Sequence, residues 1–339
     1  MMGSKNRWAS HALAAGLMLS VSGCVAYSHL RADQHVRAGQ NLLAQDSLED
    51  ALAEFEVAVE LHPQLAVAHS KMGVIFRRLG DYDRAVDSFA AAVRYNPRSF
   101  DDTINLAQLY HYTQRVRDAI QAYLHACTLR PRSFDAQLNL GVCYQQSGDH
   151  VQAIERFQRA IQSYPDQPFA YVNLGVAFDA QGKYYEAINA YREALERDNK
   201  QPLVLVNLAH TYMKQERFHI ARITLEQAIK MDRELSAGHE AMGYCLFRLQ
   251  DYAGATESYR TALVYDPRLP GALAGLGSIS MLAYLNGDDR PDLRSEALEY
   301  WHRSLELNPS QPRVHKLVNR YKRSTSDPES ILLDVRRTP

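Results

Sequence analysis

The chain has 339 residues, 46% of them apolar and 23% charged, an ordinary composition for a folded polypeptide. Its formal net charge of −1 argues against a nucleic-acid binder, which presents a basic face, while leaving room for local patches. Length alone suggests two globular domains, a prior that gives way wherever a chain repeats itself.

The first 24 residues stand apart in composition. Lys5 and Arg7 precede an apolar run from Ala9 to Val21 that includes Leu13, Leu17, Met18 and Leu19. At about 13 residues this run is too short to span a bilayer comfortably and has the form of a secretory signal. Val21-Ser22-Gly23-Cys24 resembles a bacterial lipobox. That resemblance implies a signal peptide over 1–23, cleavage after Gly23 and acylation of Cys24. The alternative is an ordinary cleaved signal with an incidental cysteine. Several acyl chains, at ~0.8 kcal/mol per buried CH₂, make a lasting anchor. Val25 stands where related lipoproteins carry Asp for inner-membrane retention, so the resemblance implies export to the cell envelope. In a diderm cell it implies the periplasmic face of the outer membrane. Residues 24–31 then form a lipidated N-terminus and short linker. If extended, the stretch from Val25 to Arg31 reaches at most ~25 Å, which keeps the first repeat near the lipid.

From residue 32 the chain repeats. Phe169–Phe178 and Gly182–Leu195 carry apolar residues at helical spacing on two segments of about 14 residues, broken at Gly182. Gly175 and Ala187 are small enough for two helix backbones to approach closely, with Phe178 and Tyr191 filling the remaining space. The pattern returns every 34 residues. One small series is Gly39, Gly73, Ala107, Gly141, Gly175, Ala209 and Gly243; a second is Ala51, Ala85, Ala119, Ala153, Ala187, Ala221 and Ala255. A third runs from Ala58 to Ala262, and Pro63, Pro97, Pro131, Pro165 and Pro267 close the units. Tyr171-x2-Leu174-Gly175-x2-Phe178 stands where the tetratricopeptide repeat family has its W-x2-L-G-x2-Y signature, and the chain resembles that family over 32–311. The resemblance implies an all-α fold, a right-handed α-solenoid of antiparallel helix pairs.

Eight repeats run in order: 32–65, 66–99, 100–133, 134–167, 168–201, 202–235, 236–269 and 270–311. The first is degenerate, with His35, Ala38 and Leu42 at core positions, as suits a cap with one neighbour. The four from 66 to 201 match the pattern best, whereas Glu216 and Gln250 replace the turn glycine in the next two. The last repeat has eight surplus residues, which fit an insertion in the turn near 286–294. Val314, Leu317, Val318 and Tyr321 then form an amphipathic capping helix over 312–323, with Arg313, Lys316, Arg320, Lys322 and Arg323 on its outer face. The tail 324–339 reads as loose.

Within each repeat, positions 2, 5, 6, 9 and 13 of the first helix should point away from the partner helix and line a concave surface. Position 6 is Asn105, Asn139, Asn173 and Asn207 in four successive repeats. A carboxamide carries donor and acceptor together, so a row of them can hold an extended chain by its backbone. The arrangement is similar to the asparagine ladder of O-linked N-acetylglucosamine transferases, although Asn is also the family's commonest residue there. Around it stand Lys71, Arg78, Lys214 and Arg248, with Tyr112, Phe169, His210 and Tyr244 as apolar or stacking surface. Position 5 has no Lys, so the carboxylate clamp of the chaperone-binding members is missing.

Cys127, Cys143 and Cys245 occupy small or apolar core positions and read as buried thiols, with a Cys127–Cys143 disulfide left open. The 13 histidines are scattered, and no Cys-x-x-Cys pair, phosphate loop, nucleophile elbow or Ca²⁺ loop occurs. The sequence therefore predicts no enzyme, no metal and no cofactor. It predicts a membrane-anchored scaffold that binds a protein or extended peptide at the cell envelope, without nucleic acid. Outer-membrane repeat lipoproteins that assist pilus or secretin assembly, or dock peptidoglycan hydrolases, look similar in layout. A self-associating scaffold, and with it a homo-oligomer, is the other reading.

Overall fold

The computed structural model describes residues 27–288, 290 and 292–323. The signal peptide expected over 1–23, Cys24 and the tail 324–339 lie outside these residues. The chain divides into two compact units, Met1–Ser163 and Tyr164–Pro339, and the described residues of both are helical with turns and no strand. The first unit holds α1 (27–44) with α2 (Leu48–Leu61), α3 (Ala66–Arg78) with α4 (Tyr82–Tyr95), α5 (Phe100–Tyr112) with α6 (Val116–Leu129), and α7 (Phe134–Gln146) with α8 (His150–Ser163). The second holds α9 (Pro168–Ala180) with α10 (Tyr184–Arg197), α11 (Pro202–Lys214) with α12 (Phe218–Met231), α13 (Ser236–Arg248) with α14 (Tyr252–Tyr265), and α15 (Pro270–Leu285) with α16 (Leu293–Leu307). The helix α17 (Pro312–Arg323) comes last.

Local chemistry sets the helix ends. Side chains of Asp81, Ser99, Ser133, Asp149 and Asp251 accept the amide N–H three residues on, filling orphan donors of the first turn. α9, α11 and α15 instead begin with Pro in the first turn, where a missing N–H costs nothing. Each turn inside a pair closes with a six-residue loop of the kind Asp81 N–H to Phe76 C=O, 2.9 Å, and Arg217 N–H to Tyr212 C=O, 2.9 Å. Such a closure needs a left-handed residue. Gly80, Gly148, Gly182 and Gly287 supply it, but so do Asp46, Gln114, Glu216 and Gln250, at φ 59° to 65°. The side-chain strain of a non-glycine residue there is tolerated because the closure and the seam below it fix the backbone.

Between the two helices of most pairs, a glycine in the first faces an aromatic ring from the second. A Cβ on Gly73 would lie 2.7 Å from the Phe89 ring, on Gly141 2.5 Å from Phe157, on Gly175 2.7 Å from Tyr191 and on Gly243 2.6 Å from Tyr259. All four rings are essentially buried, as are Ala85, Ala153, Ala187 and Ala255. The ring that seats on Gly175 is thus Tyr191, whereas Phe178 is half-buried. Gly39 with Phe55 and Gly277 with Trp301 continue the series at its two ends. Where the small residue is Ala209, the facing residue Leu225 is buried but no longer aromatic.

Two sequence expectations need correction. The linker drawn over 24–31 is helical from residue 27, because α1 runs on without a break ahead of the first repeat. The eight surplus residues of the last repeat do not all sit in its turn. α15 has 16 residues against 13 in α13, and α16 has 15 against 14 in α14, so half the surplus extends the helices. The longer α15 and α16 give α17 a wall to cover: Val314, Leu317, Val318 and Tyr321 are at most 5% exposed, in one cluster with Met281, Ala297 and Trp301.

Candidate functional site

The outward face of the first helices carries the residues selected from sequence. In the first unit these are Lys71, Arg78, Asn105, Tyr112 and Asn139. Asn105 donates through Nδ2 to the Asp101 carbonyl at 2.8 Å, and Asn139 to the Asp135 carbonyl at 2.9 Å. Each carboxamide is therefore held by its own helix one turn back. The Asn105 oxygen is already engaged, accepting from the Arg77 guanidinium at 2.7 Å, whereas among the described residues nothing pairs with the Asn139 oxygen. Arg78 reaches Asp46 at 3.0 Å, in the turn of the preceding pair. Tyr112 packs against Tyr82 with ring centroids 4.5 Å apart, its other face exposed.

The second unit repeats these themes. Asn173 donates to the Phe169 carbonyl at 3.0 Å, with no partner for its oxygen among the described residues, while the Asn207 backbone carbonyl accepts from the Thr211 hydroxyl. Lys214 pairs with Asp179 across α11 and α9. Arg248 donates to the Tyr244 hydroxyl at 3.0 Å, lies over the Phe218 ring and approaches Glu216 at 3.9 Å. His210 is exposed, yet desolvation by the protein around it and the Lys214 ammonium hold its imidazole below the ordinary histidine value. Phe169 is 64% exposed.

Position 5 does not line the open face as the sequence register suggested. Val36 and Val206 are buried, and Ser70 donates to the buried Asp102 at 2.5 Å. Glu240 receives the N–H groups of Gly271 and Ala272 at the start of α15, while burial pushes its carboxyl up. The physical reason is that position 5 meets the next first helix, as Ser70 meets Asp102 and Glu240 meets Gly271 and Ala272, leaving positions 2, 6, 9 and 13 as the surface.

Three features escaped the sequence reading. Leu203, 58% exposed, occupies the same register as Phe169 and extends its apolar surface onto the next first helix. Apolar residues at position 2 were the available signal. The position-4 side chains His69, Gln137 and His239 each donate to the carbonyl six residues earlier, on Pro63, Pro131 and Arg233, at 2.9 Å. A carbonyl only accepts, so Nε2 carries the proton in both histidines. Their job is to satisfy the loop between repeats. Finally, a cleft of about 570 Å³ opens among α12, α13 and α14, lined by Glu226, Lys230, Arg233, His239, Glu257 and Tyr265; none of the selected residues lines it.

Burial raises the thiols of Cys143 and Cys245 to about 11 and lifts Cys127 as well, and all three are free. Among the described residues, no group of three or more His, Cys, Asp or Glu could hold a metal ion, and no helix is long and apolar enough to cross a membrane.

A stack of helix pairs with a filled seam and a polar, partly aromatic outer face defines a repeat scaffold of the protein-binding kind. Tetratricopeptide repeat models match residues 29–99, 70–133, 132–200 and 180–243, and the chain belongs to the tetratricopeptide repeat family. Beyond 243 the same seam continues structurally at Tyr259 and Trp301. Among solved structures, the C-terminal part of a repeat-containing protein from Cytophaga hutchinsonii aligns at TM-score 0.58 and 18% identity, covering 71% of this chain and 99% of that one. The Cut9–Hcn1 hetero-tetramer of the APC/C aligns at 0.57 and 16%, covering 85% and 55%. A tetratricopeptide repeat protein from Parabacteroides merdae aligns at 0.52 and 15%, covering 70% and 94%. At these identities the likeness is one of fold. A search of curated protein sequences returns no significant match. Proteins of this family generally mediate protein–protein interactions and are typically non-enzymatic scaffolds.

Proposed function

We propose that this chain captures an extended protein segment on its first-helix faces, held at the cell envelope by lipid on Cys24. The observation that carries the reading is the state of Asn139 and Asn173. Each carboxamide is oriented by a backbone carbonyl of its own helix and offers an oxygen outward that no described group engages. Such a group is preorganised to accept a partner's amide N–H without losing side-chain entropy on binding. Phe169 and Leu203 add exposed apolar surface beside Asn173, the residue type that anchors an interface.

The test is a crosslinking capture from envelope extracts with the native chain and with Asn139→Ala, Asn173→Ala and Asn207→Ala combined. At about 1 kcal/mol per hydrogen bond, the triple variant should bind an identified partner up to roughly a hundredfold more weakly. Its unfolding midpoint should stay close to the parent's, since the lost bonds are solvent-facing. Unchanged affinity removes the carboxamides from recognition. The anchor is tested separately by Cys24→Ala, which should release the chain from membranes; a variant that still sediments with them after a high-salt wash refutes lipidation.

A further inference from the structure

We propose that the outer stripe of α17 docks onto an anionic phospholipid surface. In a chain of net charge −1, this 12-residue helix carries Arg313, Lys316, Arg320, Lys322 and Arg323 and no acidic residue. Its apolar residues at i, i+3, i+4 and i+7 are spent on closing the stack, as their burial shows. Arg313, Lys316 and Arg320 recur at i, i+3 and i+7, which places them on one stripe along the helix, and all three are exposed. No ion pair holds Arg313 or Lys316 to a carboxylate among the described residues. His315 donates to the Pro309 carbonyl at 2.9 Å and takes no part in the stripe.

A protein partner would be expected to seat an aromatic or aliphatic anchor beside such charges. From 312 to 321, α17 exposes no large hydrophobic residue. A headgroup layer asks for nothing but positive charge presented along a line, which is what the helix offers. The stripe is distinct from the proposed lipid at Cys24 and survives its loss.

The experiment is sedimentation of the full chain carrying Cys24→Ala with vesicles of phosphatidylcholine alone, or of three parts phosphatidylcholine to one of phosphatidylglycerol. The chain should bind the anionic vesicles, and raising the salt should release it. At about fivefold per cation near such a surface, Arg313→Gln, Lys316→Gln and Arg320→Gln together should weaken binding roughly a hundredfold. The unfolding midpoint of this variant should match its parent, showing that the cap is intact. Equal binding to neutral and anionic vesicles, or anionic binding that the triple variant leaves unchanged, overturns the proposal. So does capture by heparin without any binding to the anionic vesicles, which would assign the stripe to another polyanion.

Discussion

Replacing Gly141 by Ala puts opposing terms on one atom. In an ordinary helix interior the change stabilises by about 1 kcal/mol, because Ala has the better helix propensity. Here the new Cβ would lie 2.5, 2.7 and 3.0 Å from three carbons of the Phe157 ring, well inside ordinary contact distance. Phe157 is fully buried and cannot swing out, so relief requires the two helices to part. Overpacking of this kind costs about 1–3 kcal/mol, giving a net loss of about 1 kcal/mol, opposite in sign to the propensity term. Phe157→Leu alone leaves a void and should cost about 1–2 kcal/mol, a fraction of the value for truncation to Ala. The double variant rebuilds the Ala209 and Leu225 pairing that the chain already uses, so it should be about 1–2 kcal/mol more stable than the sum of the single losses. Urea unfolding followed by circular dichroism, with hydrogen exchange over α7 and α8 to localise the effect, measures the cycle. Gly148→Ala with Phe157→Leu is the control, since nothing lies within 4 Å of the Cβ site at Gly148. If Gly141→Ala raises stability, or the cycle is additive within about 0.5 kcal/mol, the close ring-on-glycine contact is not what joins the helices.

Gln114→Gly, Glu216→Gly and Gln250→Gly should each stabilise by about 1 kcal/mol in the same unfolding assay, because all three hold a left-handed φ that costs an L-residue roughly that much. Cys143 and Cys245, with thiols raised to about 11 from 9.0, should form about a hundredfold less thiolate at pH 8 than exposed cysteine, and mass spectrometry should find them unalkylated until the chain unfolds. The same shifts fix the sign of the alkaline response. A folded-state value above the unfolded one favours folding below pH 9, and that contribution is lost as the pH rises toward 11. Burial also holds Tyr123, Tyr191 and Tyr259 above the usual phenol range, so thermal midpoints should fall increasingly above pH 10. Tyr259→Phe should keep the folding stability or raise it by up to about 1 kcal/mol, because its buried hydroxyl meets no partner among the described residues and Phe157 fills the same register.

The seam was legible because it is a local rule repeated. Small residues and apolar spacing recur every 34 residues, so each repeat corroborates the next. Spacing could not show which aromatic meets which glycine, since Phe178 and Tyr191 both lie within reach of Gly175 in the register. Nor could it show that Gln114 adopts the glycine conformation, because the closing hydrogen bonds and the packed seam impose it. The outer face was less legible. Whether a carboxamide is available depends on neighbours from another repeat, as Arg77 is for Asn105, and on the turn of its own helix. Lys214 and Arg248 looked like ligand groups because the pairing of one with Asp179 and the seat of the other over the Phe218 ring are invisible without the stacking.

These ties divide the face into groups that hold the array and groups left over. Arg77 with Asn105 and Lys214 with Asp179 join one first helix to the next, so changing either partner perturbs the stack before it perturbs a ligand. Asn139 and Asn173 are tied only within their own helices, so the stack does not depend on their outward oxygens. On the proposed reading, recognition and cohesion use the same register position for different work, and the difference lies in what the preceding repeat places nearby. An Arg77→Ala exchange tests that division directly. It frees the Asn105 oxygen at the cost of an inter-repeat bond, so it should loosen α3 and α5 in hydrogen exchange while adding a further acceptor to the face of the first unit. If exchange at α5 is unchanged, Arg77 is not a tie and the two roles are not separable by this criterion.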